Sequence, residues 1–188
     1  MIGPGFDEVI AAARGGDERA FAVLWRDLQP AVLRYLRVVA HAASEDLASE
    51  TWLEVARGLR RFRGDETGFR AWVFTVARHR MVDLRRREAR HPVTPLPPEE
   101  FLDRAEPEDA AAPVLEAIST RAALTLIAEL PPDQAEVITL RVVAGLEVAQ
   151  VALIVGKRAG AVRVLSHRGL RRLAQRLGTG VPSAGRGG

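Results

Sequence analysis

Residues 147–176, EVAQVALIVGKRAGAVRVLSHRGLRRLAQR, carry the pattern on which the fold turns. The stretch from Glu147 to Val155 reads as a short helix with Val148, Val151, Ala152 and Val155 on one face. Gly156 is a turn residue, and a second helix is expected from about Ala159 to Leu177, burying Val162, Leu165, Leu170 and Leu173. Lys157, Arg158, Arg163, His167 and Arg168 fall on its opposite face, continued by Arg171 and Arg172. A short helix, a glycine turn and a basic second helix make the pattern of a helix-turn-helix, whose second helix enters the major groove. The competing reading is a bundle corner with a solvated basic face. Charge decides between them: residues 157–176 hold seven basic side chains and no acid, the footprint of a polyanion partner.

Working outward, the formal charge of +3 hides a strong segregation. Residues 57–90 hold eleven arginines against four carboxylates and so carry +7, the same as residues 157–176. Between these blocks, residues 92–116 hold seven acids and one arginine, a net −6, and residues 1–56 net −4. Two separated basic blocks point to two contacts with one polyanion. An apolar content of 47% with only 5% aromatics suits helical cores of Leu, Val and Ala better than sheets. The absence of cysteine excludes disulfides, thiolate catalysis and cysteine-ligated zinc. No apolar run reaches membrane-spanning length and residues 1–6 lack signal-peptide character, so a cytoplasmic protein without membrane insertion is expected. There is no P-loop, Gly-rich dinucleotide turn or serine–histidine motif, and His79 and Asp83 lack a third ligand for a nuclease-type metal site. Neither catalysis nor a cofactor is expected.

The first half reads as three helices. Residues 17–41 start on the cap Asp17 and place Phe21, Leu24, Leu28, Leu33 and Leu36 near one face, with Pro30 expected to kink or break the helix. A second helix is expected to begin with Ser44 as its cap and to bury Leu47, Thr51, Trp52, Val55, Leu59 and Phe62. After a turn over residues 63–68, a third runs from about Phe69 to Arg90, with Phe69, Trp72, Val73, Val76, Ala77 and Leu84 inward. The aromatics Phe62, Phe69, Trp72 and Phe74 beside this basic helix could stack unpaired bases, although helical spacing favours a core role for Phe69 and Trp72. Six prolines between Pro92 and Pro113, with the acid excess, read as an extended linker. Helix resumes near Leu115 to Leu130, and Pro131-Pro132 starts another, with Asp133 and Glu136 in its first turn, that stops at Gly145. The expected architecture is all-α: two small helical domains, 1–90 and 115–177, joined by a linker over 91–114 and followed by a Gly-rich tail, 178–188.

Ordered strings along the chain carry a resemblance. Residues 16–25 (GDERAFAVLW), 45–52 (EDLASETW), 61–65 (RFRGD), 69–73 (FRAWV) and 77–79 (ARH) resemble the N-terminal domain of the extracytoplasmic-function (ECF) sigma factors of bacterial RNA polymerase. Residues 130–134 (LPPDQ), Leu140-Arg141, 160–163 (GAVR), His167-Arg168 and Leu173 resemble the family's C-terminal domain. The resemblance implies a non-enzymatic sigma factor that serves a stress or signal regulon. Core RNA polymerase would be held at its beta-prime clamp helices by Asp46, Glu50, Leu53 and Arg57, and at its beta flap by the C-terminal domain. The opened minus-ten element would meet Arg63, Asp65, Glu66, Thr67, Phe69, Arg70, Arg78 and Arg85. The duplex minus-thirty-five element would meet Lys157, Arg158, Ala161, Arg163, Val164, His167 and Arg168. The linker would thread channels that otherwise hold nucleic acid, and an anti-sigma factor is a further partner the family allows. Val164-Leu165 stands where many members have a polar-basic pair, and Lys157-Arg158 makes the turn unusually basic; both bear on promoter sequence. The alternative is a free-standing helix-turn-helix regulator, which would bind duplex tightly without polymerase.

Overall fold

The computed structural model of the chain describes residues 1–90 and 111–179, with side chains described over 1–90 and 120–177. The described residues are helical throughout: α1 (Phe6–Arg14), α2 (Glu18–Ala40), α3 (Ser44–Gly58), α4 (Glu66–Arg90), α5 (Ala111–Ala128), α6 (Pro132–Ile138), α7 (Val148–Val155) and α8 (Ala159–Thr179). Most of the linker, residues 91–110, and the tail from 180 lie outside them.

In the first half α2 is the central rod, with α1, α3 and α4 against it and α4 also packed on α3. Its cap forms as expected, Asp17 Oδ1 accepting from the Arg19 and Ala20 amides at 2.8 and 3.0 Å. Pro30 neither breaks nor ends the helix, which continues to Ala40. Pro30 is solvent-exposed, so the carbonyl it leaves without a donor, that of Arg26, can be hydrated. Leu24, Leu28, Val32, Tyr35, Leu36, Val38 and Val39 of α2 are all buried, a wider face than one stripe. A helix buried on several sides needs partners on several sides, and α5 and α6 of the second half supply them.

Other expectations shift. Helix α1 stands outside the three helices expected of the first half; Phe6, Ile10 and Ala13 at helical spacing pack it into the core. Ser44 is not a cap: a 3-10 turn over His41–Ala43 precedes it and Ser44 is a buried first residue of α3. Helix α5 begins at Ala111, with Pro113 in its first turn, where a missing amide costs no helical bond. Leu170 is exposed rather than buried. Counting from fully buried Val162, seven residues return within roughly 20° of the inward direction, whereas eight overshoot by roughly 80°. Gly169, not Leu170, therefore faces α6, so closely that an added Cβ would overlap Ile138 and lie 3.4 Å from Gln134 Cβ.

The second half is built around α6, on which α8 packs, with α7 closing over α8. Every residue from Gln134 to Leu140 is buried, because α8 covers one side of α6 and α2 the other. Full burial of a Leu or Ile side chain is worth about 1.5–3 kcal/mol, so Val137, Ile138 and Leu140 anchor this domain. A wider, π-type turn over Thr139–Val143 and Gly145 in the left-handed region (φ +65°) lead into α7.

Candidate nucleic-acid interface

The helix-turn-helix is locally well determined. Glu147 caps α7, its side chain accepting from the Gln150 amide while Gln150 Oε1 accepts from the Glu147 amide at 2.8 Å. Gly156 ends α7 with φ +66°, a region that favours glycine, and the Lys157 amide returns to the Ala152 carbonyl at 3.0 Å. This turn aims α8 so that Arg158, Ala161, Arg163, Val164, His167 and Arg168 are all exposed. Among the described residues the side chains of Arg158, Arg163, His167 and Arg168 form no ion pair and no hydrogen bond. Lys157 differs: it pairs with Asp133 at 3.0 Å. Of the two residues that depart from the family pattern, Val164 faces solvent and Leu165 is half-buried against the core. The apolar replacement therefore alters one outward position.

The loop before α4 is held by short-range bonds. Asp65 caps α4, accepting from the Gly68 amide at 2.7 Å and the Thr67 hydroxyl at 2.9 Å; these two donors, the amide first, hold its carboxyl below the ordinary carboxylate value. Glu66 accepts from the Ile2 and Gly3 amides at 2.5 and 3.0 Å and ties the N-terminus to the loop. Arg63 folds back on the Arg60 and Phe62 carbonyls, both at 2.8 Å.

Phe69 and Phe74 are buried in the core, and half-buried Phe62 and Trp72 pack against it. Phe62 stacks on Trp72 with centroids 5.2 Å apart and meets Phe69 edge-on at 5.4 Å, Phe6 closes on Phe69 at 5.9 Å, and Phe74 packs edge-on against Tyr35 at 5.7 Å. Such pairs add about 0.5–1.5 kcal/mol each beyond burial, and Phe69, 2% exposed, offers no face to a base. Phe69 instead supports the loop from beneath.

Three arginines assigned to the opened strand are engaged within the protein. Arg70 pairs with Asp27 at 3.2 Å and reaches the Ala144 carbonyl at 3.4 Å. Arg85 donates to the Val39 carbonyl at 2.6 Å, at the C-terminal end of α2. Arg78 donates through Nε to Glu136 at 2.8 Å, and Glu136 also accepts from the Tyr35 hydroxyl at 3.1 Å. Burial first, and Glu136 second, push the Tyr35 phenol well above its usual value of 10.0. Nothing in the sequence marked Glu136 for this role beyond its place in an otherwise largely apolar stretch.

On α3, Asp46, Leu53 and Arg57 are exposed and Glu50 is half-exposed; the spacing of four, three and four aligns them on one stripe. Arg57 approaches Glu54 at 3.8 Å, whereas Asp46 and Glu50 form no ion pair among the described residues. His79 is exposed and Asp83 approaches Arg86 at 3.9 Å; no cluster of three potential metal ligands occurs among the described residues. Nor is any described helix long and apolar enough to cross a membrane.

A capped helix-turn-helix beside an arginine-rich helical domain defines an all-helical, two-part DNA-binding protein. Residues 24–91 match the family Sigma-70 region 2, and residues 120–173 match Sigma-70 region 4. The chain is 37% identical over 177 residues to the ECF RNA polymerase sigma factor BldN of Streptomyces coelicolor, covering 90% of this chain and 65% of BldN. It is 34% identical over 186 residues to the ECF sigma factor SigD of Mycobacterium tuberculosis strain H37Rv, covering 94% of this chain and 86% of SigD. The fold is similar to that of the sigma factor RpoE in its complex with the anti-sigma factor NepR from Bartonella quintana, with a TM-score of 0.59 and 22% identity over 83% of this chain and 97% of that one. The chain belongs to the ECF sigma factors, non-enzymatic proteins that direct RNA polymerase to promoters.

Proposed function

We propose a division of labour between the two halves. Residues 1–90 bind core polymerase and take up the opened minus-ten element, residues 115–177 read the minus-thirty-five duplex, and residues 91–114 connect them. The observation that carries this reading is the outward face of α8, where Arg158, Arg163, His167 and Arg168 are exposed and uncommitted among the described residues while Val162 and Gly169 dock the helix. A recognition helix needs both faces at once. Arg63, Thr67, Arg70, Arg78 and Arg85 are the groups for the opened strand, with Asp65 and Glu66 shaping the loop and Phe69 supporting it.

Core polymerase is the partner for the α3 stripe. Asp46 and Glu50 supply charge, Leu53, 57% exposed, supplies an apolar contact, and Arg57 completes the row against the beta-prime clamp helices. The C-terminal domain meets the beta flap. As in the RpoE structure, which holds NepR, an anti-sigma factor is the third partner proposed. The working place is the cytoplasm, and the genes served form a stress or signal regulon.

Two measurements test the division. Arg163→Ala and Arg168→Ala, each assayed as holoenzyme on selected minus-thirty-five duplexes, are expected to lose about 1–3 kcal/mol and to relax preference at one position. Unchanged preference assigns that arginine to a phosphate instead. The pair Asp46→Arg and Glu50→Arg is expected to abolish co-elution with core polymerase while the helical circular dichroism stays intact. Retained co-elution places the clamp contact elsewhere.

A further inference from the structure

Away from the surfaces discussed above, α2 and α5 enclose a groove of about 450 Å³. Arg34, Arg37, Val38 and His41 line it from α2, where a spacing of three and four keeps them on one face. Arg121, Leu124, Thr125 and Ala128 line it from α5 at the same spacing. Buried Val38 and half-buried Leu124 and Ala128 give it an apolar floor, with three guanidinium groups and an imidazole around the mouth. No carboxylate lines it among the described residues. Arg37 only approaches Glu45, at 3.8 Å, and Arg34 forms no ion pair or hydrogen bond among the described residues.

A second observation falls on the same wall. His41 is the one described non-glycine residue with a positive φ, +47°. Its ψ of −114° lies outside even the small left-handed helical well. Strain of this kind concentrates at ligand clamps and active sites, where the surroundings hold it in place.

We propose that this groove binds a nucleoside di- or triphosphate, with the phosphates on Arg34, Arg37 and Arg121 and the base on the apolar floor. Like charges one turn apart on a helix repel. A polyphosphate replaces that repulsion with charge-assisted hydrogen bonds. Arginine suits both parts of the ligand, since its fork meets phosphate oxygens and its plane stacks on a base. The volume lies within the range of about 300–1,000 Å³ typical of small-ligand sites. It is too small for the several nucleotides of a strand-binding groove.

Isothermal titration calorimetry of the full chain with GTP, ATP and inorganic tripolyphosphate, without DNA or polymerase, tests the site. Saturable binding of at least one nucleotide is expected, weakened about tenfold or more by Arg34→Ala and by Arg37→Ala. Thr125→Glu, which adds an anion to the groove without removing a cation, is expected to act the same way. All three positions are exposed, so helical circular dichroism is expected to stay at the wild-type level. Arg19→Ala, at an exposed arginine on α2 roughly 22 Å from Arg34 along the helix, is expected to change nothing. Absence of saturable nucleotide binding by the wild type overturns the proposal. So does binding that the groove variants leave unaltered, or that Arg19→Ala weakens as much. Tripolyphosphate bound as tightly as either nucleotide removes the role of the apolar floor and overturns the nucleoside assignment. Nucleotide binding that emerges only once Glu106, Glu108 and Asp109 are changed to their amides assigns the groove to the chain's own acidic segment and likewise overturns it.

Discussion

Tyr35 and Glu136 face each other across 101 residues of chain, and the pair shows how one side chain joins stability to state. The Tyr35 phenol is raised above its usual 10.0 because burial disfavours its anion and Glu136 repels it. A raised folded value means that stability is intact below about pH 10 and declines as pH rises further, since the unfolded phenol ionises first. Urea unfolding of the wild type is therefore expected to show a steep alkaline loss above pH 10, and Tyr35→Phe to flatten it. At neutral pH the same substitution removes one hydrogen bond and is expected to cost about 0.5–1.5 kcal/mol. An unchanged alkaline slope in the variant would place the titrating group elsewhere. From the sequence, Tyr35 carries no assignment and Glu136 is expected as a first-turn acid; the structure places Glu136 beyond the first turn of α6, where only Asp133 sits, and brings it to Tyr35.

Among the elements, α8 was legible and α2 was not fully so. The extent of α8, its basic outer face and its docking through Val162 follow from local periodicity, while its inward glycine does not. Gly169 lets α8 approach α6 until Ile138 fills the space a side chain would take. Gly169→Val is expected to destabilise the C-terminal domain by about 1–3 kcal/mol through overpacking, read as a lower denaturation midpoint with loss of duplex binding in proportion. A neutral outcome would mean that Ile138 can move aside. In α2 the proline argued for a break, yet a helix tolerates one lost bond when the orphaned carbonyl meets water and buried side chains such as Leu24, Leu28, Val32 and Leu36 hold both ends. Propensity is a local term of a few kcal/mol, and packing on several sides outweighs it.

On the scale of the whole molecule, segregated charge sets the behaviour. The basic face of α8 continues through exposed Arg171, which we propose meets phosphate rather than bases. Arg171→Ala is expected to weaken holoenzyme binding about equally across promoter sequences and to reduce the log–log salt slope by about 0.9. A sequence-selective loss would instead make Arg171 a reader of bases. By itself the sequence determined the all-helical class, the two basic blocks and the helix-turn-helix. Each of these depends on neighbours within a turn or two, or on composition, which the linear order preserves. Only the tertiary structure decided that the aromatics pack on one another, that α6 is buried all round, and that Glu136 holds Tyr35 and Arg78. Those outcomes depend on which surfaces meet across the fold, and hydrophobic burial, being non-directional, leaves no mark of its partner in the sequence.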